Sequence, residues 1–182
     1  MIKNTLLVML GVVVLAVAVV SAIAASRPDT FRVSRSATIA APADKLFPMI
    51  NDVREFNTWN PYNQKDPQMK GSYSGPASGP GAHYDFESRK AGTGSFEVLR
   101  ATASSEVTMR LNMTAPFKVD NTVIFTLAPQ GNATQATQAT WAMEGPAPFL
   151  AKFMGVIFNM DKMVGADFEA GLANLKTKAE KS

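Results

Sequence analysis

From Thr5 to Ser26 the chain carries no charged residue, and the run TLLVMLGVVVLAVAVVSAIAAS is bounded by Lys3 before it and Arg27 after it. As a helix rising about 1.5 Å per residue, this run reaches about 30 Å, the thickness of a bilayer's hydrocarbon core. Residues 4–26 are therefore expected to form one membrane-spanning helix, with the function carried by the residues after Arg27. An export signal would combine a basic start, an apolar stretch of about 7–15 residues and a small-x-small cleavage site. Lys3 supplies the first feature and Ala22-Ile23-Ala24 the third, but the apolar stretch from Leu6 to Ile23 exceeds that range. The balance favours an uncleaved single-pass anchor in the cell membrane, residues 1–27. Lys3 on one side is set against Arg27, Arg32 and Arg35 on the other, so the count of positive charges fixes no orientation. A short tail before a single apolar segment is the habit of anchors that export the following domain, and an extracytoplasmic domain is expected on that ground.

The remainder, 28–182, is about 150 residues long, enough for one domain with a buried core. With no cysteine, the chain has no disulfide, thiolate ligand or thiol nucleophile. The net charge is only +3, and Lys and Arg are scattered among Asp and Glu. A nucleic-acid partner, which would need a clustered basic face, is not expected. One histidine and no compact carboxylate cluster argue against a metal site, and no cofactor is expected. The ten methionines are either flexible core filler or the lining of a cavity that adapts to its contents.

Apolar and polar residues alternate from Phe31 to Ala41, the period of a half-buried strand. Ala41-Pro42-Ala43-Asp44 then opens a helix with Leu46, Phe47, Ile50 and Val53 on its buried face. Glu55 to Tyr62 loses the helical period and reads as a short helical turn or loop carrying aromatics. From Met69 to Glu144 the chain is divided by Gly75-Pro76, Gly79-Pro80-Gly81, Gly92-Thr93-Gly94, Ala115-Pro116 and Pro129-Gln130-Gly131-Asn132. Turns this short join antiparallel strands. The apolar positions of those strands are Tyr84 and Phe86, then Phe96 and Val98, then Val107, Met109, Leu111 and Met113. Val123, Phe125 and Leu127 come next, then Trp141 and Met143.

The last third changes period. Phe153, Ile157, Met160, Val164, Phe168, Leu172 and Leu175 recur every three or four residues, which predicts one long helix with a single apolar stripe. Gly155, Gly165 and Gly171 are tolerated in it where it bends or packs closely. The predicted class is α+β: a curved antiparallel sheet of about seven strands wrapped on a long C-terminal helix, after an N-terminal transmembrane helix. The space between sheet and helix is either packed core or an apolar cavity.

A family resemblance rests on the run Ser36 to Phe47 (SATIAAPADKLF), on Trp59-Asn60-Pro61-Tyr62, and on Tyr73-Ser74-Gly75-Pro76. Gly79-Pro80-Gly81, Gly92-Thr93-Gly94, and Met160 to Glu169 (MDKMVGADFE) running into Gly171 to Lys176 complete it. In this order the motifs resemble the SRPBCC superfamily: the START-like, helix-grip proteins with polyketide cyclase/dehydrase-type and lipid-transfer members, here in a membrane-anchored bacterial branch. The resemblance covers nearly everything after the anchor. It implies a helix-grip cavity and hydrophobic ligands more than any one reaction.

The expected ligand-contacting set combines the strand faces with the helical stripe. It comprises Tyr84, Phe86, Phe96 and Val98, then Met109, Leu111, Met113, Phe125 and Trp141, with Phe153 and Ile157 from the helix. Trp59 and Tyr62 either cap the core or form the cavity mouth. No catalytic residue is assigned. His83 shares a strand face with Asp85 and Glu87, away from Tyr84 and Phe86, and is expected in solvent. Glu144 falls opposite Trp141 and Met143, at a rim or surface. Asn121 falls on the inner face beside Val119 and Val123, where it bonds a ligand or, more simply, strand-end backbone. Asp161, Lys162 and Asp167 read as a solvated helix face, and Asn112-Met113-Thr114 and Asn132-Ala133-Thr134 as chance glycosylation sequons. The leading functional expectation is a membrane-tethered binding domain for a hydrophobic small molecule or lipid. The alternatives are a polyketide cyclase/dehydrase-type enzyme on an apolar substrate and an interaction domain with a filled core. Nothing in the pattern sets an oligomeric state.

Overall fold

A computed structural model describes residues 2–130 and 133–181, and the side chains of all of these except Ile2, Lys3, Ala133, Thr134 and Met160. Gly131 and Asn132, the end of the last expected turn and the start of the second sequon, lie outside the described residues. In chain order the first elements are α1 (Ile2–Ser26), β1 (Thr30–Ile39), α2 (Ala43–Asn51), α3 (Val53–Trp59), α4 (Pro61–Lys65) and β2 (Lys70–Ser74). Then come β3 (His83–Ser88), β4 (Gly92–Thr102), β5 (Glu106–Ala115), β6 (Val119–Gln130), β7 (Ala133–Pro146), α5 (Phe149–Ile157) and α6 (Met160–Lys181). The chain divides into two compact units, Met1–Phe31 with Pro146–Met160, and Arg32–Gly145 with Asp161–Ser182.

In the first unit, α1 holds the one helix among the described residues long and apolar enough to cross a membrane, Asn4–Ser26. Its companion is α5, whose apolar sequence FLAKFMGVI begins after Pro148.

The second unit is an antiparallel seven-stranded sheet, β1-β7-β6-β5-β4-β3-β2, with the remaining helices. Alternation selects the inner face, and the register aligns it across strands. Val98 lies opposite Met109, Met109 opposite Val123, Val107 opposite Phe125, and Phe125 opposite Trp141. α2 starts after Pro42 with Asp44 in its first turn and buries Leu46 and Ile50. It stops where Asp52 turns extended and its carboxylate accepts from the backbone N–H groups of Arg54 and Glu55, at 2.8 and 3.3 Å. That is an N-cap, and it starts α3. Asn60 repeats the device for α4, accepting from Tyr62 N–H at 3.1 Å with Pro61 in the first helical position. The segment expected to be one helical turn or loop is therefore two capped helices, and Val53, expected on α2, is buried from α3.

The expected single final helix is also corrected. Phe158 is extended (φ −112°, ψ 129°) and closes α5, donating its N–H to Met154 O at 2.7 Å; α6 begins at Met160. The apolar spacing across the break stays at three or four residues, so a helical period cannot register it. Phe153 and Ile157 thus belong to a different helix, and a different unit, from Phe168, Leu172 and Leu175.

Those three residues and Ala179 are the buried stripe of α6. Phe168 stacks on Trp141 with ring centres 4.4 Å apart and planes within 10°. Such an approach demands a small residue one turn on: a Cβ at Gly171 would lie 2.5 Å from Trp141 Cζ3 and 3.0 Å from Pro61 Cδ. Helix propensity alone would make Gly171→Ala stabilising by up to about 1 kcal/mol. Overpacking against an indole costs about 1–3 kcal/mol and wins. Gly171→Ala is therefore expected to lower the thermal midpoint of the full chain in detergent, measured by circular dichroism.

Candidate ligand-binding face

The inner sheet face changes character along its strands. In its closed part, Phe56 and Trp59 of α3 meet Phe125 and Trp141 of the sheet edge-on, with ring centres 5.8 Å apart for Phe56–Phe125 and for Trp59–Trp141. Phe56 also reaches Phe96 at 5.6 Å, which continues to Phe86 at 5.7 Å, Tyr84 and Tyr73. Val98 and Met109 are fully buried beneath this ladder. Trp59, 1% exposed, donates Nε1–H to Met49 O at 2.8 Å and lies in the core, not at an opening. Its indole N–H finds a backbone acceptor inside, so nothing draws it to the surface.

Tyr62 is half-buried against α6. Burial, then the charge and hydrogen bond of Asp167, push its hydroxyl well above the ordinary tyrosine value. Asp167 in turn pairs with Lys65, and Asp161 and Glu169 with Arg35, at 3.0 and 2.8 Å. Asp161 and Lys162 stay exposed, as expected of a solvated face, but the carboxylates pair with elements distant in the chain rather than along the helix.

Toward the β5–β6 turn the face opens. Leu111, Met113 and Met143 are half-buried and Val119 is exposed. Among them Asn121 is buried, and among the described residues its Nδ2 has one hydrogen-bond partner, Met143 Sδ, at 3.7 Å. The backbone contact expected for it is not made among the described residues. Asn121 Oδ1 and Trp141 Nε1 have no hydrogen-bond partner among the described residues. Trp141 lies in the closed aromatic part, so Asn121 Oδ1 is the free acceptor beside the open part, able to take the polar end of a mainly apolar molecule.

Of the expected contact set, the sheet brings together Tyr84, Phe86, Phe96, Val98, Met109, Leu111, Met113, Phe125 and Trp141 on one face. Only Leu111 and Met113 among them sit at its open part. Phe153 and Ile157 lie on α5, in the other unit. Val119 and Met143, also at the opening, were legible by alternation but stand at strand ends, where the pattern stops discriminating.

His83 begins β3 and points away from this face, with Nε2 3.1 Å from Asp85 Oδ1. Glu144 pairs with Arg32 at 2.5 Å at the surface. The described residues contain no group of three or more His, Asp or Glu that could hold a metal. His83→Ala is expected to leave thermal stability within about 0.5 kcal/mol and ligand affinity unchanged, read from melts and titrations of the same preparation.

No local sequence pattern marks Asp66. It is buried, its Oδ2 accepts from Ser88 Oγ at 2.6 Å and its Oδ1 from Gln68 N–H at 3.1 Å, while Ser88 Oγ accepts from Ala91 N–H at 2.9 Å. The Ser88 hydrogen bond, with backbone N–H groups of Gln68, Arg89 and Lys90, outweighs burial and holds the carboxyl below its ordinary 3.8. A carboxyl depressed in the folded state stabilises it above the unfolded value, and that contribution is lost as pH falls through the folded one. Acidification below 3.8 is expected to lower the melting temperature, and Asp66→Asn to flatten that dependence.

The curled antiparallel sheet closed by a C-terminal helix defines a helix-grip protein. Residues 30–180 match the family described as polyketide cyclase / dehydrase and lipid transport, and the chain belongs to it. Solved structures share the fold at low identity. Protein MLL2253 from Mesorhizobium loti is 17% identical with a TM-score of 0.58, over 84% of this chain and 98% of that one. A Thermobifida fusca protein solved in solution is 16% identical with a TM-score of 0.60, over 82% and 93%. Ara h 8.0201 is 11% identical with a TM-score of 0.56, over 84% and 99%. Comparison with curated proteins found no match.

Proposed function

We propose that this chain is a membrane-tethered binding domain for a hydrophobic small molecule or lipid, with α1 retained as a single-pass anchor and the domain outside the cytoplasm. The length of the uncharged run supports the anchor, since Asn4–Ser26 extends about 34 Å as a helix. Family membership supports the class of ligand, because lipid transport is part of the family's description. The observation that carries the reading is the open part of the inner face, where half-buried Leu111 lies opposite Asn121, Met143 Sδ stands 3.7 Å from its Nδ2, and its Oδ1 has no partner among the described residues. The ligand lays its apolar body on Leu111 and Met113 and donates a hydrogen bond to Asn121.

Leu111→Arg puts a charge on this surface at a position already half-exposed, so the fold tolerates it better than at Met109. Full-length protein reconstituted in nanodiscs is titrated with a fluorescent fatty acid. The variant, with its melting temperature retained, is expected to lose binding at least about tenfold, the equivalent of about 1.4 kcal/mol. Undiminished binding by a folded Leu111→Arg protein overturns the assignment of this face.

A further inference from the structure

α5 is built inside out for a helix in water. Phe149, Leu150, Met154 and Ile157, with Phe158 just after the helix, are 41–64% exposed, and none of the nine residues of α5 is fully buried. Its single charged side chain, Lys152, is by contrast only 10% exposed. A surface helix in water turns its charged face outward and its apolar stripe to a core; here the cation faces the protein and the apolar residues face the surroundings.

What Lys152 faces is the end of α1. Its ammonium donates to Arg27 O at 3.1 Å, just past the last turn of α1, and to the Asp29 carboxylate. Arg27 reciprocates, its Nη1–H donating to Gly155 O at 2.9 Å in the last turn of α5. Ala147 N–H adds a backbone bond to Asp29 O at 2.7 Å. Each helix thus has a terminal carbonyl bound by a cation from the other, where the helix dipole favours positive charge. Above these bonds the two helices pack against one another. Ala24 is fully buried and Val20 and Ser21 are half-covered, while the other described side chains of α1 are bare.

The depth of this contact identifies the surroundings. From Val20 to Ser26 is about 9 Å of helix, so a helix packed there lies about 5–10 Å below the end of the span, the depth of helices that rest in the interface of a bilayer. We propose that α5 is an interfacial helix, lying in the headgroup and upper acyl region of the leaflet where α1 ends, with Phe149, Leu150, Met154, Ile157 and Phe158 against lipid. The depth and the leaflet rest on the reading of α1 as a retained anchor, whereas the lipid contact of α5 rests on its own exposed apolar face. Helix α5 adds a second, lateral contact with the same bilayer and makes the Arg27–Lys152 exchange of caps the joint that sets the depth of both helices.

The natural chain has no cysteine, so single labels are placed without further changes. Leu150→Cys and Ile157→Cys carry an environment-sensitive fluorophore in full-length protein reconstituted into vesicles of zwitterionic and anionic phospholipid. Val14→Cys, within α1, is the lipid reference, and Ala103→Cys, in the exposed β4–β5 turn, the aqueous one. Nitroxide lipids spin-labelled near the top of the acyl chain are expected to quench the two α5 labels at least as strongly as the deeper Val14 label, and to leave Ala103 unquenched. Labels on α5 as open to aqueous iodide as Ala103, with Val14 still in lipid, overturn the inference and leave the anchor standing. Labels shielded from both quenchers, with cysteine cross-links between copies, overturn it in favour of a second copy of the chain. If N-terminal sequencing shows a mature chain starting near Ala25, the anchor falls. Lipid quenching at Leu150 and Ile157 then still upholds the interfacial helix, and aqueous quenching there overturns both.

Discussion

The contact on which the helix-grip unit depends is the stack of Trp141 on Phe168, closed from above by Gly171. It joins β7 to α6, and through Phe125 and Trp59 it also joins β6 and α3. Each of these rings is buried to within 2% of complete. Truncating such a residue to alanine typically costs about 3–5 kcal/mol, a large share of a small domain's stability. By comparison the ion pairs that lace α6 to other elements, Arg35 with Asp161 and Glu169 or Lys178 with Glu55, are solvent-accessible on at least one side. Exposed pairs of this kind contribute about 0–1 kcal/mol each. They orient α6 about its axis; the aromatic stack holds it down.

Close approach has a second instance at Gly165, where a Cβ would come within 2.0 Å of the Arg35 guanidinium. That space lets Arg35 lie across the helix and bond Asp161 and Glu169 together. The two glycines that weaken α6 in isolation are therefore the positions at which it is fastened, one to an indole and one to a guanidinium. Their helix-propensity cost of about 1 kcal/mol each is set against these contacts: a Cβ at Gly171 would meet the packed indole, and one at Gly165 would push the flexible Arg35 guanidinium aside.

How much of this was legible in the sequence depends on the range of each interaction. Strand alternation is local, and it placed Phe86, Phe96, Met109, Phe125 and Trp141 on one face correctly. The caps at Asp52 and Asn60 are local too, but each is a single residue inside an aromatic-rich stretch, and apolar periodicity does not register a single polar residue. The break at Phe158 was hidden because α5 and α6 keep apolar spacings in step while meeting different surroundings. Partners such as Lys65 for Asp167 or Ser88 for Asp66 are set by the fold over 102 and 22 residues, so no local pattern encodes them.

Alternation also tells which face a residue is on but not how deeply the face is covered. Met109 and Leu111 are equivalent in pattern, yet one is fully buried and the other half-open, because the aromatic residues of α3 reach only part of β5. The boundary between packed core and open face is thus drawn by the length of α3 and the size of Phe56 and Trp59. At that boundary one polar atom, Asn121 Oδ1, has no partner among the described residues. An unmet buried polar group costs about 1–3 kcal/mol, a burden a purely structural sheet sheds by carrying valine and phenylalanine there. On the binding reading that atom gives the apolar surface a means of choosing among ligands, since a molecule without a matching donor leaves that cost in place.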